Sequence, residues 1–151
     1  MATIRERADG DLDVCAGLLW DVHELAGYPI NWPEDARKWL TPDDGLGCWV
    51  AESNGRVAGH VALTANGADG ASVERLFVDP KATCAGIGRQ LLDHCVKTAA
   101  ELGRKLSLEV VDNRGAAVTM YRRAGWRETG RTPIDWGGDH ASAVLHFDAP
   151  R

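Results

Sequence analysis

Two glycines lie between a predicted strand and the helix predicted after it, an arrangement suited to binding a phosphate group. The segment Ser72–Val78 is typical of a strand and stops at Asp79-Pro80, and Gly86 and Gly88 precede the most regular helical pattern in the chain. Glycines at the start of a helix let a ligand approach the backbone, and the unpaired N–H groups of the first turn point outward with the positive end of the helix dipole. We therefore expect an anion site at this turn.

Two better-known phosphate loops do not fit this turn. A Walker loop requires Gly-x-x-x-x-Gly-Lys-Ser/Thr, and no Lys follows Gly88. The dinucleotide fingerprint requires Gly-x-Gly-x-x-Gly, and Gln90-Leu91 follow instead. The two glycines therefore belong to a different motif.

Three short blocks of sequence follow one another around the turn. They are Leu76-Phe77-Val78-Asp79-Pro80, then Thr83-Cys84-Ala85-Gly86-Ile87-Gly88, and then Leu108-Glu109-Val110, Asn113, Ala116-Ala117 and Tyr121-Arg122-Arg123-Ala124-Gly125-Trp126. In this order they resemble the GNAT superfamily of acetyl-CoA-dependent N-acetyltransferases, whose glycine motif is Arg/Gln-x-x-Gly-x-Gly/Ala. Thr83 replaces the usual Arg or Gln, and Trp126 replaces the usual Phe. The resemblance covers residues 47 to 130 well and the first 45 residues by the order of elements alone.

The resemblance implies a mixed α/β (α+β) fold of the GNAT type in a single domain, residues 1–151. The central, mostly antiparallel twisted sheet is expected to have about six to seven strands, to splay at the cofactor site and to carry about four flanking helices. The implied reaction is direct transfer of an acetyl group from acetyl-CoA to an amine, with no covalent enzyme intermediate. No metal is expected, and the five histidines show no metal-ligand spacing.

The resemblance assigns acetyl-CoA to a strand, a turn and one downstream residue. Backbone groups of Leu76 to Val78 are expected to pair with pantetheine like an added strand, and an N–H near Phe77 or Val78 to polarise the thioester carbonyl. The first turn of the following helix is expected to hold the pyrophosphate. The complete set is Leu76, Phe77, Val78, Thr83, Cys84, Ala85, Gly86, Ile87, Gly88, Arg89 and Asn113.

Four members of this set have a second interpretation. Asn113 lies eight residues before Tyr121, where seven is usual in the family, and is either a cofactor contact or the N-cap of the next helix. Cys84 contributes either its backbone N–H or, beside a helix N-terminus, a reactive thiolate. The Thr83 hydroxyl and the Arg89 guanidinium either contact phosphate or lie in a solvated turn.

Tyr121 is the expected catalytic acid. It matches the family tyrosine that donates its phenolic proton to the departing CoA sulfur. An ordinary phenol, with a pKa of about 10, remains protonated at neutral pH. The alternative is a tyrosine whose ring simply packs on the core.

Glu74 is the expected base for the acceptor amine, acting directly or through water. Strand alternation places it on the same face as Leu76 and Val78, near the reacting carbon. The alternative is that Glu74 forms half of a solvated pair with Arg75. Weaker candidates for the base are Ser72 and His60.

Aromatic residues in two loops predict where the acceptor binds. In the family the acceptor lies between the first helix, the turn after it and the loop joining the last two strands. The expected contacts are Tyr28, Asn31, Trp32, Glu74 and Trp136, whereas Trp20 and Trp39 are interpreted as core or staple residues. Aromatic walls with carboxylates suit a small cationic amine, such as an amino acid, a polyamine or an amino-antibiotic.

Two other functions remain open at this stage. A protein N-terminal or lysine acetyltransferase would need an open groove where bulky aromatic loops are predicted. A non-catalytic acyl-CoA-binding regulatory module would keep the glycine turn without turnover, and the presence of both Glu74 and Tyr121 favours catalysis.

The elements that must position these residues follow from apolar periodicity and turn residues. Asn54-Gly55 predicts a hairpin turn, and Gly27 and Gly103 are expected to end helices. The predicted helices are Leu12–Ala26, Glu34–Leu40, 86–102 and one from Asp112-Asn113 to about Arg123, and the strands are Thr3–Glu6, Cys48–Glu52, Val57–Leu63, Ser72–Val78, Leu106–Val111, Trp126–Thr129 and Ala143–Phe147.

The composition of the chain limits the classes of partner and the surroundings that we expect for the protein. Lys and Arg number 17 against 22 Asp and Glu, so the net charge of -5 disfavours nucleic acid. No apolar run approaches the roughly 18 residues of a membrane span. The first residues lack a signal-peptide layout, and the four cysteines lack metal spacing, so we expect a cytoplasmic protein with reduced thiols. Family members are often homodimers, although no apolar stripe here demands one.

Overall fold

The structure, a computed structural model, describes residues 2–112, 116–134 and 143–150, without the side chains of residues 83–85 and 116. Within these residues the chain forms a seven-stranded sheet and four α-helices. The strands are β1 (Thr3–Glu6), β2 (Gly45–Ser53), β3 (Arg56–Asn66), β4 (Gly70–Val78), β5 (Lys105–Val111), β6 (Arg127–Pro133) and β7 (Ala143–Asp148). The helices are α1 (Leu12–Ala26), α2 (Ala36–Trp39), α3 (Ile87–Glu101) and α4 (Ala116–Arg123). The mixed fold, the number of strands and the number of helices are as predicted.

Local sequence signals set several of these boundaries. Gly27 ends α1 in the left-handed conformation, at φ 72°. Asn54 and Gly55 join β2 to β3 with φ of 54° and 76°, the two positive values that a type I′ hairpin turn requires. Several strands extend beyond their predicted ends, and α2 is shorter than predicted.

The sheet opens between its two central strands. Its order is β1-β2-β3-β4-β5-β7-β6, and neighbours are antiparallel except for the parallel pair β4 and β5. That pair is joined only from Gly70–Val73 to Lys105–Leu108. Beyond it, β4 continues beside β3 while β5 continues beside β7. The sheet is therefore splayed, as predicted, and among the described residues no strand pairs with the second side of the far half of β4. This side is here called the open edge of β4.

Helices cover both faces of the sheet. On one face, α3 buries Ile87, Leu91, Leu92, Cys95 and Ala99 against the strands. On the other, α1 buries Cys15, Leu18, Leu19 and Val22 in a cluster that includes Phe77 of β4. Each fully buried large aliphatic side chain stabilises the fold by about 1.5–3 kcal/mol. The open half of β4 is thus held between two packed layers.

Candidate functional site

In the far half of β4, some backbone groups point away from β3, toward a side on which no described strand pairs with them. The Asp79 N–H donates to the Ala58 carbonyl at 2.8 Å, and Gly59 pairs with Val78. Because hydrogen-bonded and non-hydrogen-bonded pairs alternate in an antiparallel ladder, the N–H and C=O of Val78 point away from β3, toward the side that β5 has left. The Phe77 N–H faces β3 instead. Of the two amides expected to polarise a thioester, the geometry therefore favours that of Val78.

A β-bulge at Arg75 interrupts the pairing of β4 with β3. Between the pairs His60–Phe77 and Ala62–Glu74, β4 has one residue more than β3. Arg75 adopts the left-handed conformation, with φ 55°. That conformation costs a residue other than glycine on the order of 1 kcal/mol, so contacts from elsewhere in the fold must hold it.

The extra residue changes the face on which Glu74 lies. Val73, Leu76 and Val78 all pack toward the cluster under α3, whereas Phe77 packs toward α1. Glu74 directly follows Val73 and therefore points to the α1 face. The prediction that Glu74 shares a face with Leu76 and Val78 is wrong, because the bulge shifts the strand's alternation by one residue.

Glu74 lies in a group of four polar residues, here called the polar cluster: Tyr28, Glu74, Arg75 and Tyr121. Glu74 Oε2 is 3.5 Å from Arg75 Nη1. Burial raises the pKa of the Tyr28 phenol, the positive charge of Arg75 opposes that shift, and Tyr121 and Glu74 add to it. Arg75, Glu74 and Tyr121 therefore act electrostatically on Tyr28, and three of these four residues are among those predicted for catalysis and acceptor binding.

Arg75 is the member of the polar cluster that sequence reasoning missed. Its Nε donates to the Trp39 carbonyl at 2.9 Å, and its guanidinium carbon lies 4.1 Å from the centre of the Trp39 ring. The packing role predicted for Trp39 is confirmed, and its ring also holds a cation. In the sequence, Arg75 showed only as a charged neighbour of Glu74, and no sequence pattern marks its conformation.

Tyr121 reaches the polar cluster from α4 with its ring in the core. It is 7% exposed, and its ring centre lies 6.3 Å from that of Trp126 and 5.9 Å from that of Phe147. Burial raises the pKa of its phenol. The hydroxyl therefore keeps its proton across the neutral range, which is the state that a proton donor needs.

The two glycines of the turn differ in the space that surrounds them. Gly86 precedes α3 at φ 74°, and a Cβ added there would meet no atom of the described residues within 4 Å. The start of the helix is therefore open to a ligand. At Gly88 an added Cβ would lie 3.1 Å from Met120 Sδ and 3.5 Å from Val78 Cγ2, so this glycine lets α3 approach α4 and β4 closely.

The remaining residues predicted to bind the cofactor lie in different surroundings. Thr83, Cys84 and Ala85 lie in a short 3-10 helix, Pro80–Ala85, and their side chains are outside the described part of the structure. Ile87 is buried in the core. Arg89 donates from Nε to both carboxylate oxygens of Asp93, at 3.0 and 3.2 Å along the helix. Asn113 lies outside the described residues.

The predicted acceptor residues do not all meet. Asn31 is exposed, and the Trp32 ring packs 4.9 Å from Trp20 and 5.4 Å from His23 on the outer side of α1. Trp20 is 45% exposed, so the prediction that it is a core residue is wrong: it lies on the solvent face of α1, covered only in part by Trp32. Trp136 lies outside the described residues.

The described residues contain neither a metal-binding group nor a membrane-spanning helix. Among the described residues, no group of three or more His, Cys, Asp or Glu side chains is placed to hold a metal ion. None of the described helices has both the length and the apolar character needed to cross a membrane.

Comparison with protein families identifies the chain. The family model described as "Acetyltransferase (GNAT) family" matches residues 14–126, which contain the splayed strands, the glycine turn and Tyr121. The chain belongs to the GNAT acetyltransferase family. The match begins within α1 and so extends further toward the N-terminus than the motifs alone indicated.

Curated relatives of this GNAT chain are N-acetyltransferases by name. It is 34% identical over 106 residues to an uncharacterised N-acetyltransferase of Methanocaldococcus jannaschii, a match covering 65% of the chain and 46% of the relative. It is 33% identical over 103 residues to the peptidyl-lysine N-acetyltransferase YjaB of Escherichia coli, covering 68% of the chain and 63% of YjaB. Less than two thirds of each relative is matched.

A solved acetyltransferase structure confirms the fold. An acetyltransferase of Bacillus subtilis, solved in complex with CoA, superposes with a TM-score of 0.78 at 15% identity, covering 100% of this chain and 99% of that one. The likeness extends the fold over α1 and β1, where the sequence resemblance rested on the order of elements alone.

Proposed function

We propose that this GNAT domain is an acetyl-CoA-dependent N-acetyltransferase that transfers the acetyl group directly to a primary amine. The observation that carries the proposal is the open edge of β4, which leads to the glycine turn at the start of α3. Glu74 on β4 and Tyr121 on α4 both act electrostatically on Tyr28, which supports their roles in the reaction. Membership of the GNAT family and the names of both curated relatives support it.

The described residues fit acetyl-CoA at two places. The outward N–H and C=O of Val78 suit an added strand, as the amide groups of pantetheine would provide. The open space at Gly86 and the first-turn amides of α3 suit the pyrophosphate, because the positive end of the helix dipole favours an anion there. Acetyl-CoA supplies the activated acyl group as a thioester, and the protein supplies position and proton transfer.

Each proton has an assigned residue. The acceptor amine is mostly protonated at neutral pH, so Glu74 removes a proton from it, directly or through water, and frees the nitrogen lone pair. The nitrogen then forms a bond to the carbonyl carbon while the Val78 N–H stabilises the negative charge that develops on the carbonyl oxygen. The carbon–sulfur bond breaks, and the Tyr121 hydroxyl gives its proton to the departing sulfur. The nitrogen loses its second proton as the amide forms, and through solvent this proton restores the Tyr121 phenol.

The favoured acceptor is a small cationic amine. Tyr28 and Glu74 lie on the α1 face of the open edge, where an aromatic ring and a carboxylate suit an ammonium group. A second candidate is a lysine side chain of a protein, which the match to the peptidyl-lysine N-acetyltransferase favours. Both kinds of acceptor present a primary amine to Glu74. They differ in the rest of the molecule that carries this amine.

A thiol-release assay with a panel of acceptors tests the proposal. The panel holds amino acids, polyamines, amino-antibiotics and a lysine-containing peptide, each with acetyl-CoA. We expect amine-dependent release of CoA that is fastest with a small molecule. Release confined to the peptide would transfer the activity to the second candidate, and release no faster than without amine would contradict the proposed function.

A further inference from the structure

His60 is a buried polar residue that the reaction outlined above does not use. Its exposure is 0%, and its ring stacks on Phe77 with centres 5.1 Å apart and planes 16° from parallel. Nδ1 lies 2.9 Å from the carbonyl oxygen of Arg75, and Nε2 lies 2.9 Å from Nη1 of Arg7. The ring therefore connects the N-terminal segment to the bulge in β4.

The neighbours of His60 determine where its proton lies. A guanidinium can only donate, so Nε2 accepts from Arg7 and the proton of the neutral ring is on Nδ1. Nδ1–H then donates to the Arg75 carbonyl. Burial lowers the pKa of His60 to about 4, so this arrangement persists at neutral pH. Because the Nε2 lone pair is engaged and the ring is buried, His60 is unsuited to act as the base.

Arg7 is itself held in place at the end of α2. Nη1 donates to the Leu40 carbonyl at 2.7 Å, and Nη2 donates to the Thr41 hydroxyl at 2.6 Å. A chain of hydrogen bonds thus runs from the end of α2 through Arg7 and His60 to the backbone of Arg75. The side chain of Arg75 returns to α2 through the Trp39 carbonyl.

The bulge determines two features on which the proposed reaction depends. The extra residue at Arg75 turns Glu74 to the α1 face, and it sets the direction of the strand at Val78, whose N–H faces the open edge. A misplacement of about 1 Å at a reacting group can slow a reaction roughly 100-fold. A hydrogen bond to the carbonyl of Arg75, whose backbone is strained, would resist such a shift.

We propose that His60, oriented by Arg7, is a positioning residue for acetyl transfer, which holds the carbonyl of Arg75 and thereby fixes Glu74 and the Val78 N–H. This inference rests on the proposed N-acetyltransferase function. It assigns His60 no contact with acetyl-CoA or the acceptor.

Three substitutions separate the two ring nitrogens. In His60→Asn the amide nitrogen stands at the position of Nδ1 and can still donate to Arg75. In His60→Gln the amide lies at the distance of Nε2, so it serves Arg7 and leaves the Arg75 carbonyl without its donor. His60→Leu removes both hydrogen bonds at similar size. Thr64→Val, which alters another buried polar residue of β3, is the control for general loosening of the sheet.

Steady-state kinetics with acetyl-CoA and an acceptor amine give the test. We expect His60→Gln and His60→Leu to lose kcat by about 10-fold or more, with a smaller change in KM for acetyl-CoA. His60→Asn should recover most of that loss and keep the pH profile of kcat/KM, and Thr64→Val should keep kcat. Full turnover in a folded His60→Gln would overturn the proposal, as would a folded His60→Asn as slow as His60→Leu.

A nitrogen-15 NMR spectrum of the wild-type imidazole keeps the test decisive if the variants fail to fold. The expected spectrum at pH 7 is that of a neutral ring with its proton on Nδ1. A proton on Nε2, or a charged ring, would overturn the inference. A wild-type protein that releases no CoA with any amine would contradict the proposed function instead, while the spectrum would still report on the hydrogen bond to Arg75.

Discussion

At the scale of single residues, the two proposed proton-transfer groups differ in burial, which suits the different roles proposed for them. The Tyr121 phenol is buried and has a raised pKa, which keeps its proton in place until the thiolate forms. The Glu74 side chain is 38% exposed, so an amine or a water molecule can reach its carboxylate. A buried acid suits proton transfer to the departing sulfur, and a base near solvent suits proton removal from the incoming amine.

Replacing Tyr121 by Phe should lower kcat by roughly 100-fold, because the departing sulfur loses its proton donor. The ring packing against Trp126 and Phe147 is retained, so the melting temperature should change little. Initial rates of CoA release and a thermal melt measure the two effects. Unchanged turnover in Tyr121→Phe would remove the acid role and leave the core-packing alternative.

Replacing Glu74 by Gln should lower kcat/KM for the amine by roughly 100-fold, because a neutral amide cannot take its proton. The dissociation constant of acetyl-CoA should stay near that of the wild type, since pantetheine is expected to pair with the backbone. Glu101→Gln, at the exposed end of α3, is the matched control and should leave both quantities unchanged. Equal rates for the two variants would sink the base role.

At the scale of elements, the turn between β4 and α3 depends on glycine for its backbone. Gly86 has φ 74° and open space around an added Cβ, so a side chain there would strain the turn without filling a cavity. The same space is where an anion would approach the amides of the first turn. Stability and cofactor affinity should therefore change together at this residue.

Gly86→Ala should reduce the free energy of unfolding by about 1 kcal/mol and weaken acetyl-CoA binding. Gly17→Ala is the contrasting control, because Gly17 lies within α1 with no atom within 4 Å of an added Cβ, and Ala should stabilise that helix by about 0.5–1 kcal/mol. Denaturant unfolding and calorimetric titration measure both effects. Tighter cofactor binding in Gly86→Ala would contradict the assigned site.

The first strand is tied to the start of α1 by a two-pronged ion pair. Asp11 accepts from Arg5 Nη1 at 2.8 Å and Nη2 at 2.9 Å, and also from the Ala8 N–H at 2.7 Å. The hydrogen bond from Arg5 lowers the pKa of Asp11 to about 2. A carboxylate with a pKa lower in the folded state than in the unfolded state stabilises the fold only while it is ionised.

Asp11→Asn should therefore reduce the free energy of unfolding by about 1–2 kcal/mol at pH 7, after allowance for partial solvent screening. The difference from the wild type is complete above the unfolded-state pKa of about 3.9 and disappears as the pH falls through about 2. Urea unfolding from pH 2 to pH 7 follows it. A difference that is constant over this range would show that the ion pair does not provide the stability.

At the scale of the whole molecule, local patterns predict the elements and long-range contacts decide the site. The hairpin at Asn54-Gly55 and the helix after Gly86 follow from residues adjacent in the chain. The bulge does not, because Arg75 is held by Trp39 and His60, which lie 36 and 15 residues away. Sequence reasoning therefore found Glu74 and assigned it to the wrong face.

The aromatic residues illustrate the same division. Trp20, Trp32 and Trp39 carry equal apolar area, and the sequence alone does not show which of them packs. Trp39 contacts Tyr28 and Arg75, whereas Trp20 and Trp32 pack on each other and stay partly exposed. Contributions of Asn113 and Trp136 to the site remain predictions from the sequence.

The net charge of -5 fits a protein that binds an anion through backbone groups. Val78 and the first turn of α3 offer N–H donors without a basic surface, and carboxylates such as Glu74 remain available to attract a cationic amine. The proposed cofactor and the proposed cationic acceptor carry opposite charges, and we assign them to different parts of one small domain.

The central claim is that the open edge of β4 and the start of α3 bind acetyl-CoA, and titration calorimetry of the wild-type protein tests it most directly. We predict saturable binding of one acetyl-CoA per chain with a dissociation constant of tens of micromolar or tighter, about -6 kcal/mol or stronger. Absence of binding heat at those concentrations, at two temperatures, would contradict the account.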